Sequence, residues 1–422
     1  MRKTLVTILV VYSLFLFSES FPARAADTLT MNDFLATALY DPRLQNHTEL
    51  VRYLEAAPES TPYLDKIQFR TESDEFDISK QKYSLRFYPK AWGETRCNTL
   101  IAETTRKAVR TEHEALFNRA LEKRYALVFD FLETLSLTNL KKRLLMVYND
   151  RVNVLRKLSM SDLSSDASVL VSAEDRHIAL QLELVQLENK LTAVVEEIKF
   201  IAGHYPEIAF DEDQLIGPEK IEEIILNIQP GPNPDNIYLR EKRFNAKLAE
   251  NRYLLEKTKS KKCISFFKVQ YDADDYDRPE KAFSVEMGFD LPFVNSDRED
   301  INRRKKNYLE EKLSYENKKI KTSGKITSLS LSLKRLIRQR RILADRRNNS
   351  NAEISFRKYM KMEGINPLTL LKVKESILEG DIQLTRISYM IRRRYLELTD
   401  MMGRLSEEPL RNLISLSMEP IQ

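Results

Sequence analysis

From Glu94 to about Lys157 the chain runs for 64 residues without a proline or a glycine. As one helix this stretch would be roughly 96 Å long at 1.5 Å per residue, where ordinary globular helices average about 11 residues. Such a helix must lie sideways against partners of similar length. The next segment supplies one: Leu180, Leu184, Leu187, Leu191, Val194, Ile198 and Ile201 alternate steps of four and three, an a/d heptad seam, and Gly203 ends it. The polar turn Ser159–Asp166 between the two predicts a long antiparallel α-hairpin. The pattern returns later in the chain. Arg298 to about Met362 has no proline and only Gly324, the run Gly364-Ile365-Asn366-Pro367 makes a turn, and Leu370, Ile377, Leu384, Ile391 and Leu398 recur at sevens before Gly403. A heptad stripe alone means core packing; its length and duplication are what constrain the fold.

Composition narrows the function. Glycine occurs 9 times in 422 residues, against roughly 30 at average usage, which disfavours glycine-rich phosphate loops and turn-rich all-β folds. Two cysteines exclude a disulfide-dense scaffold or a cysteine zinc site, and the four histidines have no metal-ligand spacing. A net charge of +5 is too small to imply nucleic acid. At the start, Arg2 and Lys3, an apolar run from Leu5 to Phe17 and Ala23-Arg24-Ala25 read as a secretory signal peptide over 1–25, the alternative being an uncleaved anchor. No later apolar run reaches 18 residues, so a membrane protein of this sequence must cross as β-strands.

Two short alternating stretches precede each long hairpin. Phe283, Val285, Met287, Phe289 and Leu291 alternate with Ser284, Glu286, Gly288 and Asp290, and Tyr83, Leu85, Phe87 and Pro89 with Ser84, Arg86, Tyr88 and Lys90. Their hairpin partners are Ile67, Phe69 and Thr71 with their polar neighbours, and the less regular Ile264 to Tyr271. Period two with one apolar side suits strands between lipid and water, with Tyr63, Trp92 and Phe293 at one end and Tyr83, Tyr271 and Phe283 near the other as interfacial aromatics. A small soluble sandwich with one wet face has the same alternation. Four strands cannot close a barrel, for which about eight are the minimum, so the membrane reading demands an oligomer.

The order of elements resembles the TolC-like outer-membrane efflux protein family over essentially the whole mature chain. Leu29 to Pro42 is similar to that family's first helix, Asn233-Pro234 would open the matching helix of the second half, and Phe289-Asp290-Leu291-Pro292-Phe293 resembles its strand-to-helix junction. Tyr359 to Leu368 resembles its hairpin-tip motif. The fold expected is mainly α with short β: long antiparallel α-hairpins forming a coiled-coil tunnel, and four strands per chain contributing to a trimeric twelve-stranded outer-membrane barrel. The organisation expected is a first repeat over 26–203 (β-hairpin about 64–91, α-hairpin about 94–203), equatorial short helices and linker over 204–260, a second repeat over 261–403 (β-hairpin about 264–293, α-hairpin about 298–403) and a tail over 404–422.

The resemblance implies a homotrimeric exit duct of a tripartite efflux pump or type I secretion system. It would dock through its helical tips on a periplasmic adaptor and an inner-membrane pump or ABC transporter. Such a conduit needs no cofactor, no metal and no catalytic residue. Its lipid-facing strand would be Phe283, Val285, Met287, Phe289 and Leu291, and its adaptor-contacting tips Leu163, Gly364, Ile365 and Leu368. In that family two acidic residues past the second tip form a constriction; the matching positions here are Leu370 and Val373, with Lys372 and Lys374 beside them. Those lysines could ring the pore or face outward. Cys97 and Cys263 would both sit at the periplasmic base of the barrel, as a disulfide if their Cα atoms come within about 7 Å, or as two free thiols. Other readings are a periplasmic adaptor, which carries one hairpin in a glycine-rich β-domain; a soluble coiled-coil scaffold; and an enzyme or calcium site using Asp272, Asp274, Asp275 and Asp277.

Overall fold

The computed structural model describes residues 28–57, 62–73, 81–161, 167–203, 207–227, 236–272, 282–290, 298–349 and 366–421. The leader, Leu163, Leu291, Phe293, Gly364, Ile365, Asn233-Pro234 and the acidic run after Asp272 lie outside them. The elements are β1 (Thr28–Thr30), α1 (Met31–Ala36), α2 (Pro42–Ala56), β2 (Leu64–Ser73), β3 (Gln81–Pro89), α3 (Glu94–Ser161), α4 (Ala167–Ala202), β4 (Glu207–Ala209), α5 (Pro218–Asn227), α6 (Ile237–Lys259), β5 (Ile264–Asp272), β6 (Phe283–Phe289), α7 (Arg298–Asn349) and α8 (Pro367–Met401). The molecule is mainly α, with two short sheets.

Helix α3 has 68 residues, about 102 Å of rise. Ion pairs mark its antiparallel alignment with α4: Lys123–Glu197, Lys141–Glu183, Lys142–Glu188 and Arg156–Glu174, at 2.5–2.9 Å. The predicted seam of α4 is the face turned inward: Leu180, Val194 and Ile198 are buried and the other four half-buried. Gly203, at φ 89°, ends α4 in the left-handed conformation, and its N–H reaches the Lys199 carbonyl at 2.8 Å.

The helices form one layer rather than a closed bundle. Away from the sheet the order is α4, α3, α8, α7; towards the sheet it is α2, α3, α6, α7. The two long helices run through both halves, and the shorter ones succeed each other alongside them. Where α8 ends and α6 begins, the Asn236 side chain caps Tyr238 N at 2.9 Å and Leu239 N at 3.3 Å, and its amide donates to the Met401 carbonyl. Gly403 makes the bend at φ 73°; a Cβ there would stand 3.0 Å from Asn236 Cα. The cap is therefore Asn236, three residues beyond the expected Asn233. The stretch 204–260, expected as short helices and linker, instead holds the 23-residue α6, packed between α3 and α7.

A belt wraps the middle of the layer. Strand β1 pairs in parallel with β4, and Leu29, Phe34 and Leu35 join Leu121, Tyr125, Phe129, Val194 and Ile198 in the largest core. Leu405, Ile414 and Ile421 fill the same core, so the expected tail is part of the belt.

Candidate functional site

The second sheet has four antiparallel strands in the order β2-β3-β5-β6. Its register aligns three apolar rows on one face: Thr71–Tyr83–Tyr271–Phe283, Phe69–Leu85–Val269–Val285 and Ile67–Phe87–Phe267–Met287. The alternate rows on the other face are Arg70–Ser84–Gln270–Ser284 and Gln68–Arg86–Lys268–Glu286. Lys268 Nζ donates to Glu286 at 3.2 Å and Tyr88 Oη to Gln68 at 3.0 Å. Phe69, Phe283, Val285 and Phe289 are each more than 60% exposed, and Tyr63 and Trp92 more than 80%. An isolated chain would hold this apolar wall against water; burying it gains about 25 cal/mol per Å².

Strand β5 reads irregularly because it carries a bulge between Ile264 and Phe266. The bulge brings Ile264 onto the apolar face opposite Phe289, while Phe266 stays in phase with Lys268 and Gln270 on the polar face, where Arg86 lies 4.2 Å above its ring. Gly288 makes room for it: a Cβ there would lie 2.4 Å from the Phe266 ring. The strand β6 ends at Phe289, two residues short of the predicted Leu291.

Sheet and helical layer both end in open edges. Strands β2 and β6 lack a second neighbour among the described residues. Helix α4 packs chiefly on α3, and its far side exposes Val171, Ile178, Leu182 and Val185, a second heptad stripe. Helix α7 is the opposite edge, with Leu309, Leu313, Ile320, Leu331 and Ile342 exposed. The layer thus carries apolar contacts on two different edges, the condition for head-to-tail ring closure.

Asp400 locks the centre of the layer. It is 2% exposed and accepts from Asn118 of α3 and, at 2.9 Å, from Tyr238 Oη of α6. Burial raises its carboxyl above the usual range, outweighing those two hydrogen bonds and Lys325. Burial also raises Glu122 one turn along α3, with Asp400 adding to the effect.

At the tip, Asn366 caps α8 through Leu368 N at 2.9 Å, and Leu368, Leu370 and Val373 are half-buried. Lys372 and Lys374 are exposed without an ion-pair partner among the described residues. Two positions apart on a helix means about 200° of rotation, so they stand on opposite surfaces of the layer and cannot both line one lumen. The first acid after them, Glu375, is held inside the chain by Tyr148 and by Arg151 at 2.8 Å. Burial and that carboxylate push Tyr148 up to about 12.

Of the remaining expected positions, Cys97 and Cys263 are both free thiols, not a disulfide. Cys97 Sγ lies 3.8 Å from Thr258 Oγ1, and Cys263 is exposed with its thiol 3.4 Å from the Lys261 carbonyl. Asp272 pairs with Lys82 at 3.5 Å, a cross-strand ion pair. The exposed edges of α4 and α7 were missed; their signal was an apolar stripe on a second helical face.

No family model and no curated protein sequence matches the chain. Solved structures do. CusC, described as forming a transmembrane channel, superposes with a TM-score of 0.62 at 11% identity, over 88% of this chain and 92% of that one. The outer membrane protein VceC of Vibrio cholerae gives 0.60 at 14%, over 88% and 96%. The outer membrane channel MtrE of Neisseria gonorrhoeae, in its open state, gives 0.61 at 11%, over 88% of each chain. The likeness is one of fold: the chain has the fold of TolC-like outer-membrane channel proteins.

Proposed function

We propose that three copies of this chain close into a channel of the Gram-negative outer membrane. It carries a twelve-stranded barrel in the lipid and a helical tunnel in the periplasm. The observation that carries this reading is the coincidence of a two-faced sheet with open edges on every layer. Four strands are too few for a barrel, and closing head to tail pairs β6 of one copy with β2 of the next and α7 with α4. The apolar rows then meet lipid, and the rows containing Arg86, Lys268 and Glu286 line water.

The chain acts as a passive conduit without chemistry of its own. Solute moves along the tunnel under drive supplied by an inner-membrane pump or ABC transporter, coupled through a periplasmic adaptor at the helical tips. Lys374 lies 18 residues, or about five turns, from Arg392, which donates to the Ile216 carbonyl of the belt at 3.1 Å. A belt inside the tunnel would plug it, so the belt side is the outer side. Lys374 then faces the periplasm and Lys372 the lumen, as a ring of three.

Disulfide trapping tests the closure. Ion pairs Lys141–Glu183, Arg151–Glu375 and Arg347–Asp381 bring Leu182 of α4 and Ile342 of α7 to similar heights. With the native cysteines replaced, Leu182→Cys with Ile342→Cys should give covalent trimers in the outer-membrane fraction. Only monomers, or a protein found solely in the soluble periplasm, would favour the coiled-coil scaffold instead.

A further inference from the structure

Beneath the apolar rows, α6 passes into β5 through Ser260-Lys261-Lys262-Cys263, and α7 begins beside it at Arg298. Between them lies a cleft of about 560 Å³ whose walls include Tyr253, Lys257, Lys261, Cys263, Arg298 and Asn302. That is the size of a small-ligand site. The ring of Tyr253, stacked on Tyr308 with centroids 6.4 Å apart and planes 3° apart, stiffens one wall.

Among the described residues, the cleft is lined by three cations and by no carboxylate. Of the acids near it, Glu256 pairs with Lys259 at 3.8 Å, Asp65 with Lys262 at 3.4 Å and Asp300 with Arg303 at 2.6 Å, while Asp290, whose N–H donates to the Cys263 carbonyl at 2.8 Å, and Glu299, next to Arg298, are not among the residues that line the cleft. Lys257, Lys261 and Arg298 have no acidic partner among the described residues. The C-terminal dipole of α6 offsets only about half a charge, leaving a cleft that attracts an anion. Its height is equally informative. Cys263 is followed by Ile264, whose partner across β6 is Phe289, and both are exposed and apolar. The cleft therefore lies at the height where the apolar rows begin.

We propose that this cleft binds the phosphate of an anionic phospholipid headgroup in the periplasmic leaflet. The inference rests on the membrane placement proposed above. Arg298 offers a planar fork for two phosphate oxygens, Lys257 and Lys261 add point charges, and Asn302 adds a neutral donor. The acyl chains would run up along Ile264 and Phe289. Free phosphate shares the recognition chemistry but not the apolar continuation.

Cys263 lines the cleft and reports its occupancy. The full mature protein would be placed in nanodiscs of phosphatidylcholine alone or with phosphatidylglycerol. Maleimide labelling would then be timed at Cys263 and, by peptide mass, separately at Cys97. Phosphatidylglycerol should slow Cys263 about tenfold once headgroups exceed the dissociation constant about tenfold. The triple variant Lys257→Gln, Lys261→Gln, Arg298→Gln should lose the effect, and Arg298→Gln alone should lose part of it. The distal control Lys312→Gln, Lys319→Gln, Lys321→Gln should keep it. Equal rates in both lipids, or undiminished protection in the triple variant, overturn the proposal. Equal protection by inorganic phosphate in phosphatidylcholine discs overturns the headgroup assignment in favour of a free anion. A protein that never enters the discs, seen before any labelling, refutes the membrane placement itself.

Discussion

Placing an arginine at Val285 separates a lipid-facing sheet from a water-facing one. Val285 is in the middle of the three apolar rows, opposite Val269, and is 64% exposed in the single chain. Arginine at the bilayer midplane of a barrel costs about 2–4 kcal/mol, hence about 6–12 kcal/mol in a trimer if the three sites are independent. Per copy that lowers the inserted fraction about thirtyfold or more. The control is Ser284→Arg, the same side chain one residue away, on the row with Arg70, Ser84 and Gln270. Pointing into water, it should change stability by no more than about 0.5 kcal/mol. The assay is the amount of heat-modifiable trimer in the outer-membrane fraction. Loss with Val285→Arg and near-normal yield with Ser284→Arg is expected. Equal yields, or loss only with Ser284→Arg, would refute the assigned facing.

Other consequences follow from contacts. Gly288→Ala forces its Cβ against the Phe266 ring, a clash worth about 1–3 kcal/mol; trimer yield should fall and recover in part with Phe266→Leu. Lys372→Glu should move the reversal potential of single channels towards cation preference, while Lys374→Glu should leave it near wild type, as planar-bilayer recordings under a salt gradient will show. The raised carboxyl of Asp400 contributes stability that is full below the unfolded Asp value and lost as pH rises through its folded value. Asp400→Asn, which keeps the acceptor for Tyr238 and Asn118, should flatten that acid-side slope in thermal melts. His113 is depressed by burial and by His47, whose ring centroid lies 5.7 Å away with Glu112 3.6 Å from His47 Nε2. Its contribution is present above the ordinary histidine value and lost as pH falls through the folded value; His113→Gln should remove that loss in the same melts.

The long helices and the strands of the four-stranded sheet were legible because most keep their own period over many residues. Strand β5 was placed at Ile264 to Tyr271 but read as less regular, because its parity changes at the bulge between Ile264 and Phe266. Helix α6 was expected to open near Asn233-Pro234, but its 23-residue length was not legible, for a different reason. The residues it buries include Ala249 and Asn251, and Asn251 holds Thr104 Oγ1 at 3.0 Å, so no apolar stripe announced it. Heptad spacing through Leu370 and Ile377 left the tip lysines undecided; the packing of Leu378 and Ile382 into the α3–α8 core fixes the rotation of α8. The two cysteines were placed near the same end of the sheet by topology, but bonding depends on side-chain distance, which spacing along the chain does not encode.

The account's central claim is that the open edges of one chain are closed by two others. Native mass spectrometry of the protein extracted from the outer membrane in mild detergent measures this directly. Three chains per particle is the expected result, retained when the native cysteines are removed. A monomer, or a dimer that buries one shared edge twice, would contradict head-to-tail closure and the channel with it.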